Sequence, residues 1–262
     1  MQQKSAVILR AGFDAAYICS SLNQLPINDR PILIIETGRP ARKAKLMRLA
    51  ERRRIFALFD IAALVLFDRF QRWKISQKIP NKFLALKPKV DLVVDDVNDQ
   101  SLKLFVKDHG VTKILSYGTA IYSELTLKQL DLTILNFHSG VLPKYRNVHS
   151  DFWAYLGRDF SGIGVSVFSV SVGIDNGPLL AVIKTADDQV RRLWDYKFRN
   201  LSTIANLIVE ILANPDELVA PRGSSHPKEL GILWPTPTAT DIARYFVHEA
   251  SISFRKHRPP SS

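Results

Sequence analysis

Short apolar runs alternate with segments of helical spacing along this chain, and glycine, proline or small polar residues punctuate the changes. Ser5 to Leu9 reads as a first strand, followed by Arg10-Ala11-Gly12 and a helical segment through Leu22. Pro31 to Glu36 is a second strand, and Thr37-Gly38-Arg39-Pro40 turns the chain. From Ala41 to about Lys74 the pattern is helical, with Leu46, Leu49, Ala50 and Arg53 at helical spacing and a charged opposite face. Its most apolar stretch, Ile55 to Phe67, is broken by Asp60 and is too short to span a bilayer. That stretch reads as a core-facing helix, with peripheral membrane contact as the alternative. Strands follow at Val90 to Val94, Thr112 to Ser116 and Thr133 to Leu135, separated by helices at Ser101 to His109 and Leu125 to Leu130. Ser150 to Leu156 opens another helix, with Ser150 or Asp151 as cap and Trp153 on its buried side. In the strand Gly164 to Val172, Val165 and Val167 share one face, whereas Val170 and Val172 lie on the other, which predicts a bulge or twist near Phe168. A strand at Leu179 to Ile183, a helix from Asp187 to about Ala213, loops at Asn214-Pro215 and Pro221-Arg222-Gly223, and a helix from Asp241 to about Ser251 complete the pattern. Strand–helix alternation of this kind is that of an α/β chain.

The 262 residues can hold one large α/β domain or a core domain with a small appendage, and 46% hydrophobic residues exclude global disorder. Cys19 is the only cysteine, so there is neither a disulfide framework nor a cysteine-rich zinc site, which fits a reducing, cytoplasmic compartment. The N-terminal apolar run is too short for a signal peptide, and no transmembrane segment is expected. A net charge of +11 attracts phosphates of any kind without choosing among nucleotide, nucleic acid, anionic lipid or a polyglutamate tail. The basic run Arg39 to Arg54 reads first as a solvated face and second as a phosphate or membrane-surface patch. Aromatic residues do not alternate with its charges as base stacking requires.

Candidate chemistry collects in Ile134 to Asn147, ILNFHSGVLPKYRN. An apolar strand runs into Asn136 and His138, which lie two apart and so share a face where the strand ends. Gly140 and Pro143 then open a loop, and loops at strand ends are where open α/β sheets hold ligands. Downstream, in SVGIDNGP, Asp175 sits between Gly173 and Gly177 after another apolar strand. Each polar residue alone suits a turn or cap; the three on two strand-end loops make a site candidate. Asp95 and Asp96 read as solvated loop acids, since no His or third carboxylate stands at ligand spacing, and no metal site is expected. Gly-x-Gly-x-x-Gly is absent after the first strand, although a strand–Arg10–Gly12–helix entry can receive a phosphate on the helix N-terminus.

Asn136-Phe137-His138 with Gly140, Leu142-Pro143, Tyr145-Arg146 and Gly173-Ile174-Asp175-Asn176-Gly177-Pro178 resembles the folate-dependent formyltransferase family, most clearly from about Val90 to Ile183. The resemblance implies a Rossmann-like, mostly parallel twisted sheet with helices on both faces plus a small C-terminal extension. Residues 1–187 would form the catalytic core, 188–254 a helical extension packing on it, and 255–262 a disordered basic tail. It implies Asn136, His138 and Asp175 as catalytic positions and N10-formyltetrahydrofolate as co-substrate, without a metal. The loop Gly118, Thr119, Ala120, Ile121 and Tyr122 would close over the pteridine, with Ser139, Gly140, Val141, Gly173 and Ile174 also lining the folate. Where the family carries Gly after Arg146, this chain has Asn147, a residue that tolerates positive φ. Trp234-Pro235-Thr236-Pro237 and Ser150-Asp151-Phe152-Trp153 are similar to compact formyltransferases of bacterial surface-polysaccharide (O-antigen) pathways, which commonly dimerise. The segment after Asp187 is too short for the second β-barrel domain of methionyl-tRNA formyltransferases.

The implied reaction carries a formyl group to the primary amine of a nucleotide-linked amino sugar such as GDP-perosamine. Histidine titrates near neutrality, so His138 can accept the amine proton; Asn136 can donate to the oxyanion, and Asp175 can hold and stabilise the imidazole. Arg10, Gly12, Lys144, Tyr145 and Arg146 are the candidates for the acceptor and its pyrophosphate. Two alternatives stand beside this: another acceptor, methionyl-tRNA or glycinamide ribonucleotide, or a non-catalytic basic binding module.

Overall fold

The computed structural model describes residues 4–38, 54–80, 89–186, 192–214 and 231–255. Most of the basic run before Arg54, residues 187–191 at the expected start of a helix, the Pro221-Arg222-Gly223 loop and the tail from 256 onward lie outside the described residues. Five parallel strands, β1 (Lys4–Arg10), β2 (Ile32–Glu36), β3 (Leu92–Val94), β4 (Val111–Tyr117) and β5 (Thr133–His138), form most of one sheet. A two-residue strand, β6 (Tyr145–Arg146), follows; then β7 (Gly164–Ser169) and β8 (Leu179–Lys184) continue the main sheet antiparallel. The order is β3-β2-β1-β4-β5-β7-β8, so the sheet is mixed, mostly parallel and Rossmann-like. Strand order, not strand direction, reverses between the parallel neighbours β1 and β4, the switch point outside whose C-terminal strand ends α/β sheets form their crevice.

Alternation along the strands separates two apolar layers. Val7, Leu9, Leu115, Leu135 and Phe137 face one way, onto α1 (Phe13–Leu22) and a long helix, Leu193–Ala213, which supplies Leu201, Ile204 and Ile208. Ala6, Ile8, Ile34, Ile114 and Ile134 face the other way, toward helices Gln100–Asp108 and Glu124–Leu130. In chain order the remaining helices are α2 (Arg54–Ser76), α3 (Gln100–Asp108), α4 (Glu124–Leu130), α5 (Ser150–Leu156), α6 (Leu193–Ala213) and α7 (Ala239–Arg255). A third cluster, with Phe67, Phe152, Tyr155, Tyr196 and Tyr245, joins α2, α5, α6 and α7 beyond the sheet. The last short strand, β9 (Ile232–Leu233), pairs with β6.

Several expectations change. The register of β7 on β8 shifts between Val167 and Phe168, where the valines change face, and the regular strand ends at Ser169 rather than Val172. Ile55 to Phe67 faces the core on one side only: Phe67 is buried, but Leu58, Phe59, Val65 and Leu66 are exposed, because a helix at the margin buries a single stripe. The residue before α5 is His149, held at φ 66 with no side-chain cap bond, in place of Ser150 or Asp151. Ser150 is not available as the cap because its hydroxyl donates to the Asn147 carbonyl at 2.6 Å. Trp153 is half-buried, its indole N–H donating to Pro235 O at 2.7 Å.

Candidate active site

At the end of β5 the backbone delivers Asn136, half-buried, and His138, buried, on one face. Asn136 lies between Ser116 of β4 and Phe168 of β7, and His138 is opposite Ser166 of β7. The imidazole is fixed from one side. Its Nε2 is 2.7 Å from the carbonyl oxygen of Tyr145 and 3.1 Å from Ser150 Oγ. A carbonyl only accepts, so Nε2 carries the proton, and in the neutral ring Nδ1 is then the basic nitrogen.

Asp175 Oδ2 faces that Nδ1 at 3.6 Å. This exceeds a hydrogen bond, so the carboxylate acts on the ring through its charge. On the opposite side Tyr145 O and Ser150 hold the ring through Nε2. The carboxylate is itself held, since Oδ2 accepts the Asn147 N–H at 2.7 Å. Asp175 and Asn147 both take left-handed backbone, at φ 46 and 79, which Asp and Asn tolerate better than most residues. Arg146 ties the same loop: Nε and Nη2 donate to Ile174 O at 3.1 and 2.5 Å, and Nη1 to Gly231 O at 3.3 Å. Close packing fixes the loop's exit, where a Cβ on Gly177 would lie 1.6 Å from Ser169 O.

The loop after β4 begins beside Phe137, with Gly118 at φ 67. Ala120 N–H donates to the buried Glu36 carboxylate at 3.0 Å, and Asn98 bridges Ile121 O and the Ser123 N–H at 3.0 and 2.7 Å. Tyr122 is buried, its hydroxyl on Ser116 Oγ at 3.2 Å, and burial pushes its pKa up to about 12. Thr119 Oγ1 meets the same Ser116 hydroxyl at 2.9 Å, while Ile121 is exposed. Ser139, Gly140 and Val141 are bound into the scaffold. Ser139 Oγ accepts from Asn200 at 3.0 Å, Gly140 O accepts from Ser166 at 2.7 Å, and Val141 N–H donates to Gly162 O at 3.2 Å.

The cationic candidates have partners within the chain. Arg10 pairs with Glu36 at 2.9 Å; burial raises the Glu36 carboxyl and Arg10 draws it back. Gly12 precedes α1, whose first turn carries Asp14, raised by burial and accepting from Tyr117 at 3.3 Å. A carboxylate in that turn opposes the phosphate expected at Arg10 and Gly12. Lys144 pairs with Asp159 at 2.6 Å, and this bond holds the Asp159 carboxyl down to about 2. Tyr145 also donates to Asp159, at 2.9 Å, and stacks on Trp234, which stacks in turn on Trp153, at centroid distances of 5.6 and 5.3 Å. The Ser150–Trp153 run and the Trp-Pro-Thr-Pro segment, far apart in sequence, therefore meet over β6.

Sequence reasoning missed the Tyr145 carbonyl, the Asn147 N–H and Ser150 as the groups that set the ring and carboxylate. Two are backbone atoms without a sequence signal, and Ser150 stood out only as a cap. It also missed Lys197 of α6, 3.4 Å from Asp151. Burial opposes the Lys197 charge, but Asp151, Asp68 and Asp14 outweigh it and raise its pKa. Among the described residues no group of three or more His, Cys, Asp or Glu could hold a metal ion. A groove between β8 and α6, lined by Ile183, Thr185, Phe198 and Ser202, contains none of these site residues.

No family model matches the chain. It is 28% identical over 120 residues to the methionyl-tRNA formyltransferase of Finegoldia magna, covering 46% of this chain and 38% of that protein. It is 25% identical over 149 residues to that of Chlorobium chlorochromatii, covering 57% and 46%. The chain thus spans less than half the length of these relatives. In structure it is similar to a sugar N-formyltransferase from a Shewanella species, with TM-score 0.55, 12% identity, and 89% and 77% of the two chains covered. It is also similar to a 4-N formyltransferase from Francisella tularensis, with TM-score 0.54, 10% identity, and 88% and 76% covered. The phosphoribosylglycinamide formyltransferase of Bacillus halodurans gives TM-score 0.51, 15% identity, and 86% and 100% covered. Partial sequence and overall fold thus both resemble formyltransferases.

Proposed function

We propose, on the premise of that double likeness to formyltransferases, that the chain transfers a formyl group from N10-formyltetrahydrofolate to a primary amine. The observation that carries this is the fixed His138 ring, with Nε2 on the Tyr145 carbonyl and Nδ1 before the Asp175 carboxylate. When bound, the folate supplies the formyl group. The acceptor amine attacks the formyl carbon with its lone pair; His138 Nδ1 accepts the proton that the amine must lose and returns it to the folate N10 as the carbon–N10 bond breaks, so that the N-formyl amine and tetrahydrofolate are the products. Asp175, 3.6 Å away, stabilises the resulting imidazolium. Asn136, on the same face, donates an amide N–H to the oxygen that becomes negative as the carbonyl is attacked, a contribution typically worth about 10²–10³ in rate. Asn147 and Arg146 keep the carboxylate facing the ring.

For the acceptor we favour a nucleotide-linked amino sugar of the kind used in surface polysaccharide, with GDP-perosamine the first to assay. Support comes from the compact sugar N-formyltransferase neighbours, which align over most of both chains, and from the contact between the two segments that resemble such enzymes. The test incubates the chain and formyl-folate with GDP-perosamine, dTDP-linked 4-amino sugars, glycinamide ribonucleotide and methionyl-tRNA, and follows the mass gain of one formyl group. Formylation of a nucleotide sugar alone supports the assignment. Formylation only of methionyl-tRNA or glycinamide ribonucleotide overturns the acceptor while leaving formyl transfer in place.

A further inference from the structure

The helix α2 carries a second apolar face that is exposed among the described residues. Positions 58, 59, 62, 65, 66, 69, 72 and 73 are all exposed, and their spacing puts them on one side of the helix. Leu58, Phe59, Val65, Leu66 and Trp73 supply the apolar surface, with Phe59 and Leu66 each 67% exposed. The stripe runs about 22 Å at 1.5 Å per residue. Phe246 of α7 extends it sideways, its ring 5.9 Å from Phe70 and 6.2 Å from Phe67. Single exposed apolar residues are ordinary; a contiguous row of large ones marks an interaction face.

Charge on this helix is sorted by side. Arg69 lies on the exposed face, and Arg72, also exposed, stands at its margin, where its charge reaches the buried Asp14 as well. The acids point inward: Asp60 accepts the Ala239 N–H at 2.8 Å, and the charge of Asp68 acts on the buried Lys197. Lys74 sits at the stripe's end, its ammonium 4.6 Å from the Trp73 ring centroid. In sequence, the stretch from Arg39 to Arg53 carries seven basic residues against one acid, Glu51; its structure lies outside the described residues. An apolar face with Arg69 within it, Arg72 and Lys74 at its margin and a Trp at one end has the chemistry of a helix lying in the headgroup layer of an anionic bilayer, where arginine stems lie along apolar surface and their heads reach phosphate. A second copy fits less well, because a two-fold contact through this face would set a patch of Arg69 and Arg72 against itself. Nucleic acid fits less well again, because Leu58, Val65 and Leu66 offer no flat ring for a base to stack on.

We infer that the outer face of α2 docks the protein on the surface of an anionic membrane, with Leu58, Phe59, Leu66 and Trp73 in the acyl boundary and Arg69 and Arg72 on lipid phosphates. No described helix is long and apolar enough to cross the bilayer, so the helix lies along the surface. The inference does not depend on formyl transfer, since none of these residues belongs to the site around His138. The test is cosedimentation of the full chain with vesicles of phosphatidylcholine alone and of two parts phosphatidylcholine to one part phosphatidylglycerol. The expected result is binding at least about tenfold tighter to the anionic vesicles, weakening with salt. Leu58→Asp/Leu66→Asp should lose at least about tenfold, and Arg69→Glu/Arg72→Glu should lose the anionic preference. Both variants alter exposed side chains, so an unchanged melting temperature certifies their fold. Equal binding to both vesicles, undiminished binding by the Leu58/Leu66 variant, a dimer in light scattering that this variant dissociates, or retention of RNA without retention of vesicles would each overturn it.

Discussion

His138 has one ring nitrogen anchored and the other presented, and the anchor is a main-chain oxygen. Replacing the ring removes the proposed base and the donor to Tyr145 O, and His138→Ala and Asn136→Ala should each lower turnover at least about a hundredfold. Circular dichroism should remain that of the parent, and wild-type turnover in either variant would remove that residue from the mechanism. Asp14 gives a separate expectation at the same scale. Burial raises its folded pKa above the ordinary 3.8, so its stability contribution is full below that value and is lost as pH rises through the folded one. Asp14→Asn lacks this loss, so its melting temperature should gain on the parent's between pH 4 and pH 8; a pH-independent difference would contradict the assignment. Asn136 and His138 were legible as candidates because polar side chains two apart end an apolar strand, and Asp175 because it stands between two glycines on the loop after another. The Tyr145 carbonyl and the Asn147 N–H were not, since every residue carries such groups and only the fold selects them.

The element that brings the site together is β6, two residues long. Tyr145 gives its carbonyl to His138, Arg146 gives its guanidinium to the loop of Asp175, and both residues pair with β9 from the C-terminal segment. Arg146 was a candidate for substrate phosphate; its guanidinium ties Ile174 O and Gly231 O, which makes a clamp the reading to test. Arg146→Met leaves Ile174 O without these donors. It should speed amide hydrogen exchange at 173–177 and cut turnover by at least about tenfold, with acceptor KM changing less. If KM rises while turnover and exchange hold, the side chain binds substrate after all. Trp234, between Tyr145 and Trp153, holds the same strand from outside. Trp234→Ala should cost about 1–3 kcal/mol and lower the melting temperature by several degrees; an unchanged melting temperature would mean that the stack contributes little. The bulge near Phe168 was legible from the valines that change face. The pairing of β6 with β9 was not, because two-residue strands have no periodicity to detect.

Across the whole molecule, the sheet has the mostly parallel order of an α/β fold with its switch point between β1 and β4, and the candidate site lies at the C-terminal end of the next strand, β5. The alternation of apolar runs gave most strand positions. The two antiparallel strands at the β5 edge and the outward apolar face of α2 depend on tertiary neighbours. A helix whose apolar residues encircle it looks core-facing in sequence; only packing shows that, among the described residues, one side is exposed. α6 belongs to the core as firmly as any strand, with Leu201, Ile204 and Ile208 buried against the sheet. The central claim is that this sheet edge performs formyl transfer with His138 as the base. Single-turnover formylation of a nucleotide-linked amino sugar by formyl-folate, with the parent and with His138→Ala side by side, tests it most directly. The account predicts transfer by the parent and a rate at least about a hundredfold lower in the variant. Equal rates, or no transfer by the parent to any amine in the panel, would contradict it.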